Sequence, residues 1–103
     1  MHARVTKFEG SPEQVDAVIK LVKETIAPGA KRLEGFRGGY WLLDRASGKG
    51  FSVTLFNSES DLDKSEDAAA QLRAKASSVA RITAVERYEV VAEARVEELA
   101  PAR

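Results

Sequence analysis

The order of elements legible in this chain, strand-helix-strand-strand-helix-strand, predicts an α+β fold of the split β-α-β, ferredoxin-like type. Three observations carry that prediction. A capped helical stripe follows a short first strand. A Gly-containing turn joins two β-rich segments. An acidic, Ser-rich helix start then leads to a last strand. Such an order gives a four-stranded antiparallel sheet with two helices on one face.

Ala3 to Phe8 is short, rich in β-formers and stopped by Glu9-Gly10, which reads as the first strand. Ser11-Pro12-Glu13-Gln14 opens a helix: Ser11 caps, Pro12 takes the first helical position, and Gln14 completes a capping box. Val15, Val18, Ile19, Val22 and Ile26 follow at spacings of three and four, one stripe of a helix. Pro28 and Gly29 place its end near Ala27, with a short extra turn over residues 30–33.

Phe36 to Asp44 and Phe51 to Phe56 form a hairpin across the turn Ala46-Ser47-Gly48-Lys49-Gly50. Gly38-Gly39 suggests a bulge or a close approach by another group. Because a one-residue shift flips every side chain, either Tyr40 or Trp41 faces a given side of the sheet. Ser58 or Ser60 caps the second helix, whose acidic first turn suits the helix dipole. Its stripe is Leu62, Ala69, Leu72, Ala76 and Val79, and it fades near Val79 or Ala80. The last strand covers Ile82 to Val91. The single domain thus spans residues 1–92, and residues 93–103 form a charged, Ala-rich tail or arm.

Two helices cover one sheet face only. On the other face the sequence places Arg4, Thr6 and Phe8, then Ser52, Thr54 and Phe56, then Arg87 and Glu89. Large aromatics mixed with hydroxyls and a few charges fit neither a solvated face nor an ordinary core. They fit a face buried against a second copy of the chain, with a cavity inside.

Composition removes several function classes. With 103 residues there is room for one core. No cysteine is present, so thiolate metal sites, disulfides and Cys nucleophiles are excluded. A multi-histidine metal cluster is impossible with His2 alone, and no metal site is expected. Net charge is zero from 16 basic and 16 acidic residues, which gives no nucleic-acid footprint. No apolar run approaches the roughly 20 residues that span a bilayer, so no membrane partner is expected. With no signal-peptide core at its start, the chain reads as cytoplasmic. Gly48-Lys49-Gly50 leads into a strand rather than a helix, so it is no phosphate loop. The acidic run from Glu59 to Asp67 lacks the spacing of a calcium loop.

The element order, Gly35-Phe36 followed by Gly39-Tyr40-Trp41, and Val53-Thr54-Leu55-Phe56-Asn57-Ser58 running into an acidic helix start, together resemble the antibiotic biosynthesis monooxygenase-like domains of the dimeric α+β barrel superfamily. The resemblance covers about residues 2 to 92. It implies a homodimer whose sheets face each other, and a pocket between sheet and helices or within the barrel. It implies no cofactor for the monooxygenase branch, which acts on aromatic polyketides. The haem-degrading branch needs an asparagine on the first strand and a histidine on a later helix. This chain has Arg4 and Thr6 there, and Asn57 is its only asparagine.

Tyr40, Trp41, Thr54, Phe56, Arg87 and Glu89 are the candidate substrate-binding residues; the sequence gives no catalytic residue. Aromatic rings supply flat apolar contact, and an indole N–H or phenol O–H orients a ligand oxygen. Arg4, Arg87 and Glu89 fall close together on neighbouring strands, so Glu89 is expected to pair with one arginine. An arginine also steadies the negative charge of an enolate or phenolate. Two function classes follow: a cofactor-independent monooxygenase-like protein acting on a small aromatic or polyketide-like substrate, and a non-catalytic dimeric protein binding a small apolar or aromatic ligand.

Overall fold

The structure, a computed structural model, describes residues 1–96. Its sheet has the order β2-β3-β1-β4, with β1 His2–Glu9, β2 Phe36–Leu43, β3 Lys49–Phe56 and β4 Arg81–Glu89, all antiparallel. The α+β fold expected from the element order is the fold observed. Residues 97–103 of the expected tail lie outside the described residues.

The first helical region runs without a break from residue 12 to residue 30. It comprises a 3₁₀ turn, Pro12–Gln14, then α1 Val15–Leu21, a π-helical turn Val22–Ile26, and α2 Ala27–Ala30. Pro12 sits at its start as expected. Ser11 makes no side-chain capping bond; its carbonyl instead accepts from Gln14 N–H at 2.9 Å. The helix also passes the stop expected near Ala27. In the π turn Ala27 N–H reaches the Val22 carbonyl. Pro28 therefore falls in the first turn of α2, where a missing N–H costs little.

The second helical region is two helices, α3 Glu59–Lys64 and α4 Glu66–Lys75, rather than one. Ser58 caps α3, its Oγ accepting from Asp61 N–H at 3.1 Å. The break falls at Ser65, and the cause is local. Ser65 Oγ donates to the Leu62 carbonyl at 2.8 Å, and Arg4 Nη2 donates to the same oxygen at 3.1 Å. Side-chain donors thus take the carbonyl that a continuous helix would use.

Directly paired residues in an antiparallel sheet lie on one face. Arg4 pairs with Thr54 and Arg87, and Thr6 pairs with Ser52. Arg4, Thr6, Phe8, Ser52, Thr54 and Phe56 are all buried. This reverses the expectation that they lie away from the helices. The opposite face carries Val5, Lys7, Phe51, Val53, Leu55, Tyr40 and Tyr88. Both faces carry residues fit for burial, so alternation fixed the period but not the direction, and Arg4 misled the reading.

The Gly38-Gly39 bulge is real. Phe36 pairs with Phe56 but Gly38 pairs with Leu55, leaving Arg37 as the extra residue. Trp41 then pairs with the buried Ser52 and Tyr40 with Val53. The register is settled: Trp41 faces the helices, and Tyr40, 70% exposed, faces away. The 44–49 turn depends on Gly48, whose φ is +79°; a Cβ there would meet the Gly10 carbonyl oxygen at 2.3 Å.

Candidate functional site

Between the sheet and the helices lies a cavity of about 80 Å³. Its floor is the helix-side surface of the sheet, where Trp41, Thr6, Ser52 and Thr54 meet it. Its roof is apolar, from Val22 and Ile26 of the π turn to Leu72 of α4. A minority of polar groups on an apolar wall is the usual make-up of a small-molecule site.

Trp41 holds its place through Gly39. A Cβ on Gly39 would come within 3.2 Å of the indole Cη2 and 3.1 Å of the Val53 carbonyl. Gly38 has nothing within 4 Å of such a Cβ. The glycine pair therefore marks two things at once, a bulge and a close approach by the chain's own tryptophan.

One end of the cavity is charged. Arg4 reaches up from β1 and Arg73 reaches across from α4, and both line the space. Glu66 stands between them. Its Oε1 lies 3.1 Å from Arg4 Nη2, and its Oε2 pairs with Arg73 Nη2. Arg4 Nη2 also donates to Ser65 Oγ at 3.1 Å, and its guanidinium lies 5.2 Å above the Phe56 ring. Phe56 in turn packs edge-on against Phe36, with centroids 5.9 Å apart. Burial pushes the Arg4 guanidinium below its usual value; Glu66 pulls it back up, and the nearby Arg73 and Arg87 push it further down.

The six candidate residues are dispersed. Trp41 and Thr54 line the cavity. Phe56 is fully buried beneath Arg4 and supports it rather than lining the space. Tyr40 lies on the open face. Arg87 pairs with Asp63 of α3 at the surface, and Glu89 is exposed at the end of β4. The expected pairing of Glu89 with an arginine does not form: helix carboxylates take both cations, because both arginines face the helices. Sequence reasoning missed Arg73 and Glu66. A signal existed for Arg73, which stands four residues after the buried Ala69 and so on the same side of α4.

This fold and this cavity define a class. The family model for antibiotic biosynthesis monooxygenase matches residues 1–77, and the chain belongs to that family. Solved structures agree in fold. HapK from Hahella chejuensis superposes with a TM-score of 0.77 at 14% identity, over 95% of this chain and 100% of that one. NE2512, a protein of unknown function from Nitrosomonas europaea, gives 0.70 at 20% identity over 94% and 95%. Rv0793 from Mycobacterium tuberculosis gives 0.66 at 20% identity over 91% and 98%. No curated protein sequence matches the chain. No helix among the described residues is long and apolar enough to cross a membrane.

Proposed function

We propose that the chain is a cofactor-independent monooxygenase-like protein that binds a small aromatic substrate in the cavity between sheet and helices. The observation that carries this reading is Trp41, held against Gly39 on the wall of an otherwise apolar space with Ser52 and Thr54 beside it. Size narrows the substrate. The cavity, about 80 Å³, is well below the roughly 300–1,000 Å³ of ordinary ligand sites. A single ring fits that volume far better than a fused polyketide.

The chemistry needs an ionisable substrate. Loss of the proton of an activated phenol gives an anion with carbanion character at a ring C–H carbon, and its electrons pass to O₂. A C–O bond forms, and the protonated hydroperoxide loses water to leave a carbonyl. One O₂ is consumed, one oxygen stays on carbon and the other leaves as water. The protein's part is to orient the ring on Trp41, exclude bulk water and steady the anion with the adjacent guanidinium groups.

A second reading has its own support. Among the described residues, those lining the cavity include no carboxylate or imidazole to take the proton. Glu66 is held by two arginines at the rim. A dimeric binding protein without turnover uses the same cavity and needs no base. The exposed apolar face around Tyr40, Leu42 and Phe51 supports pairing with a second copy in either case. Oxygen uptake with a panel of activated single-ring phenols separates the readings. The oxygenase reading expects one O₂ per substrate and a loss of rate in Trp41→Ala; saturable binding with no oxygen uptake favours the binding protein.

A further inference from the structure

We infer that the cavity takes a ligand bearing one negative charge on oxygen, an aromatic carboxylate, gripped by Arg4 and Arg73. The inference rests on the aromatic-cavity reading above and adds the charge of its occupant. Arg4 and Arg73 both line the cavity, and among the described residues Glu66 is the one carboxylate that pairs with either of them. The neighbouring cation, Arg87, is already matched by Asp63. One positive charge is therefore left over at the charged end of the space.

The hydrogen bonds show the same surplus. Arg4 Nε and Arg73 Nη1 are buried and have no hydrogen-bond partner among the described residues. The Arg4 side chain is only 4% exposed, so its free N–H has no access to bulk solvent. Arg4 Nη2 is engaged with Glu66, Ser65 and Leu62, which fixes the guanidinium while its buried Nε–H stays unused. Buried donors without partners are costly, more so when charged. Water in the cavity would satisfy the N–H groups but not the charge. A carboxylate satisfies both, because it brings one negative charge and two acceptor oxygens.

Trp41 is the only tryptophan and lines the same cavity, so its fluorescence reports occupancy. The test titrates the full chain with sodium benzoate and with benzamide, a neutral molecule of the same shape. Benzoate is expected to bind saturably with a Kd at least about tenfold below that of benzamide, the range of a charge-assisted hydrogen bond. Arg73→Gln is expected to abolish most of that preference. Equal affinity for the two compounds overturns the inference and leaves the aromatic cavity standing. Retention of the preference in Arg73→Gln also overturns it. Binding of neither compound overturns both. The comparison of the two ligands on the unaltered chain needs no variant, so it holds even if Arg73→Gln does not fold.

Discussion

Arg4 Nη2 and Glu66 Oε1 stand 3.1 Å apart, yet the arginine side chain is 4% exposed and the glutamate 45%. The pair joins the central strand of the sheet to α4, and its burden is unequal. Removing the carboxylate leaves a buried cation facing Arg73 with nothing between them. Removing the cation leaves a carboxylate that still has Arg73 and solvent. Glu66→Gln is therefore expected to destabilise the fold by about 2 kcal/mol, between an exposed pair and a fully buried one because one partner is half exposed. Arg4→Met, which keeps the apolar stem, is expected to cost less. Thermal unfolding checks the order: a fall of roughly 4–8 °C per kcal/mol applies to a domain of this size. A larger loss in Arg4→Met would show that the helix break at Ser65 depends on the arginine more than the charge balance does.

Gly39 and Gly38 are expected to behave differently although they are adjacent. Gly39→Ala puts a methyl group 3.2 Å from the Trp41 ring, so the indole must move. A shift in tryptophan emission and a several-fold weaker affinity for phenol are the expected outcomes. Gly38→Ala meets nothing within 4 Å and should leave the emission unchanged. Fluorescence spectra of the two variants decide it.

On the open face, Lys7, Glu86 and Tyr88 form a small polar group. Tyr88 Oη donates to Glu86 Oε1 at 3.1 Å, and Lys7 Nζ lies 3.5 Å from that same oxygen. The bond to Glu86 raises the Tyr88 phenol above its usual value, the Glu86 charge raises it further, and Lys7 opposes both. A raised value means the folded chain holds the proton more tightly than the unfolded one. Its contribution to stability is present below about pH 10 and is lost as pH rises through the raised value. With Tyr40→Phe as background, an ultraviolet titration should place Tyr88 above pH 10, and Glu86→Gln should lower its midpoint. No change in Glu86→Gln would contradict the hydrogen bond.

Tyr40, Leu42 and Phe51 share the open face and are 70%, 44% and 43% exposed in the single chain. The pairing with a second copy proposed above predicts a dimer by light scattering and a monomer in Phe51→Asp, because a carboxylate in such an interface is buried without a partner. A dimer that survives the substitution would move the interface elsewhere.

Periodicity and turn chemistry made the element order legible, and with it the sheet. Pro12 and Ser58 are where sequence reasoning placed them, and the hairpin turn expected over 46–50 falls over 44–49, with Lys49 and Gly50 already in β3. Direction was not legible. Residues 3 to 8 alternate between two sets that are both fit for burial, and the sign came only from the helices that cover Arg4, Thr6 and Phe8. The glycine bulge was visible, yet its effect on Trp41 needed the register shift at Arg37. Glu66 and Arg73 pair directly, seven residues apart on α4, but their place at the cavity was unreadable because Arg4, which brings the sheet to Glu66, lies 62 residues before it in the chain. Pro28 looked like a stop, and the π turn before it removed the need for one.

The most direct test of the account is an amide-resolved NMR titration of the labelled chain with phenol. Saturable shifts are expected at Trp41, Thr54 and Leu72, which line the cavity, with Tyr40 and Phe51 unmoved. Shifts confined to Tyr40, Leu42 and Phe51 would contradict it, and would place the ligand on the open face of the sheet instead.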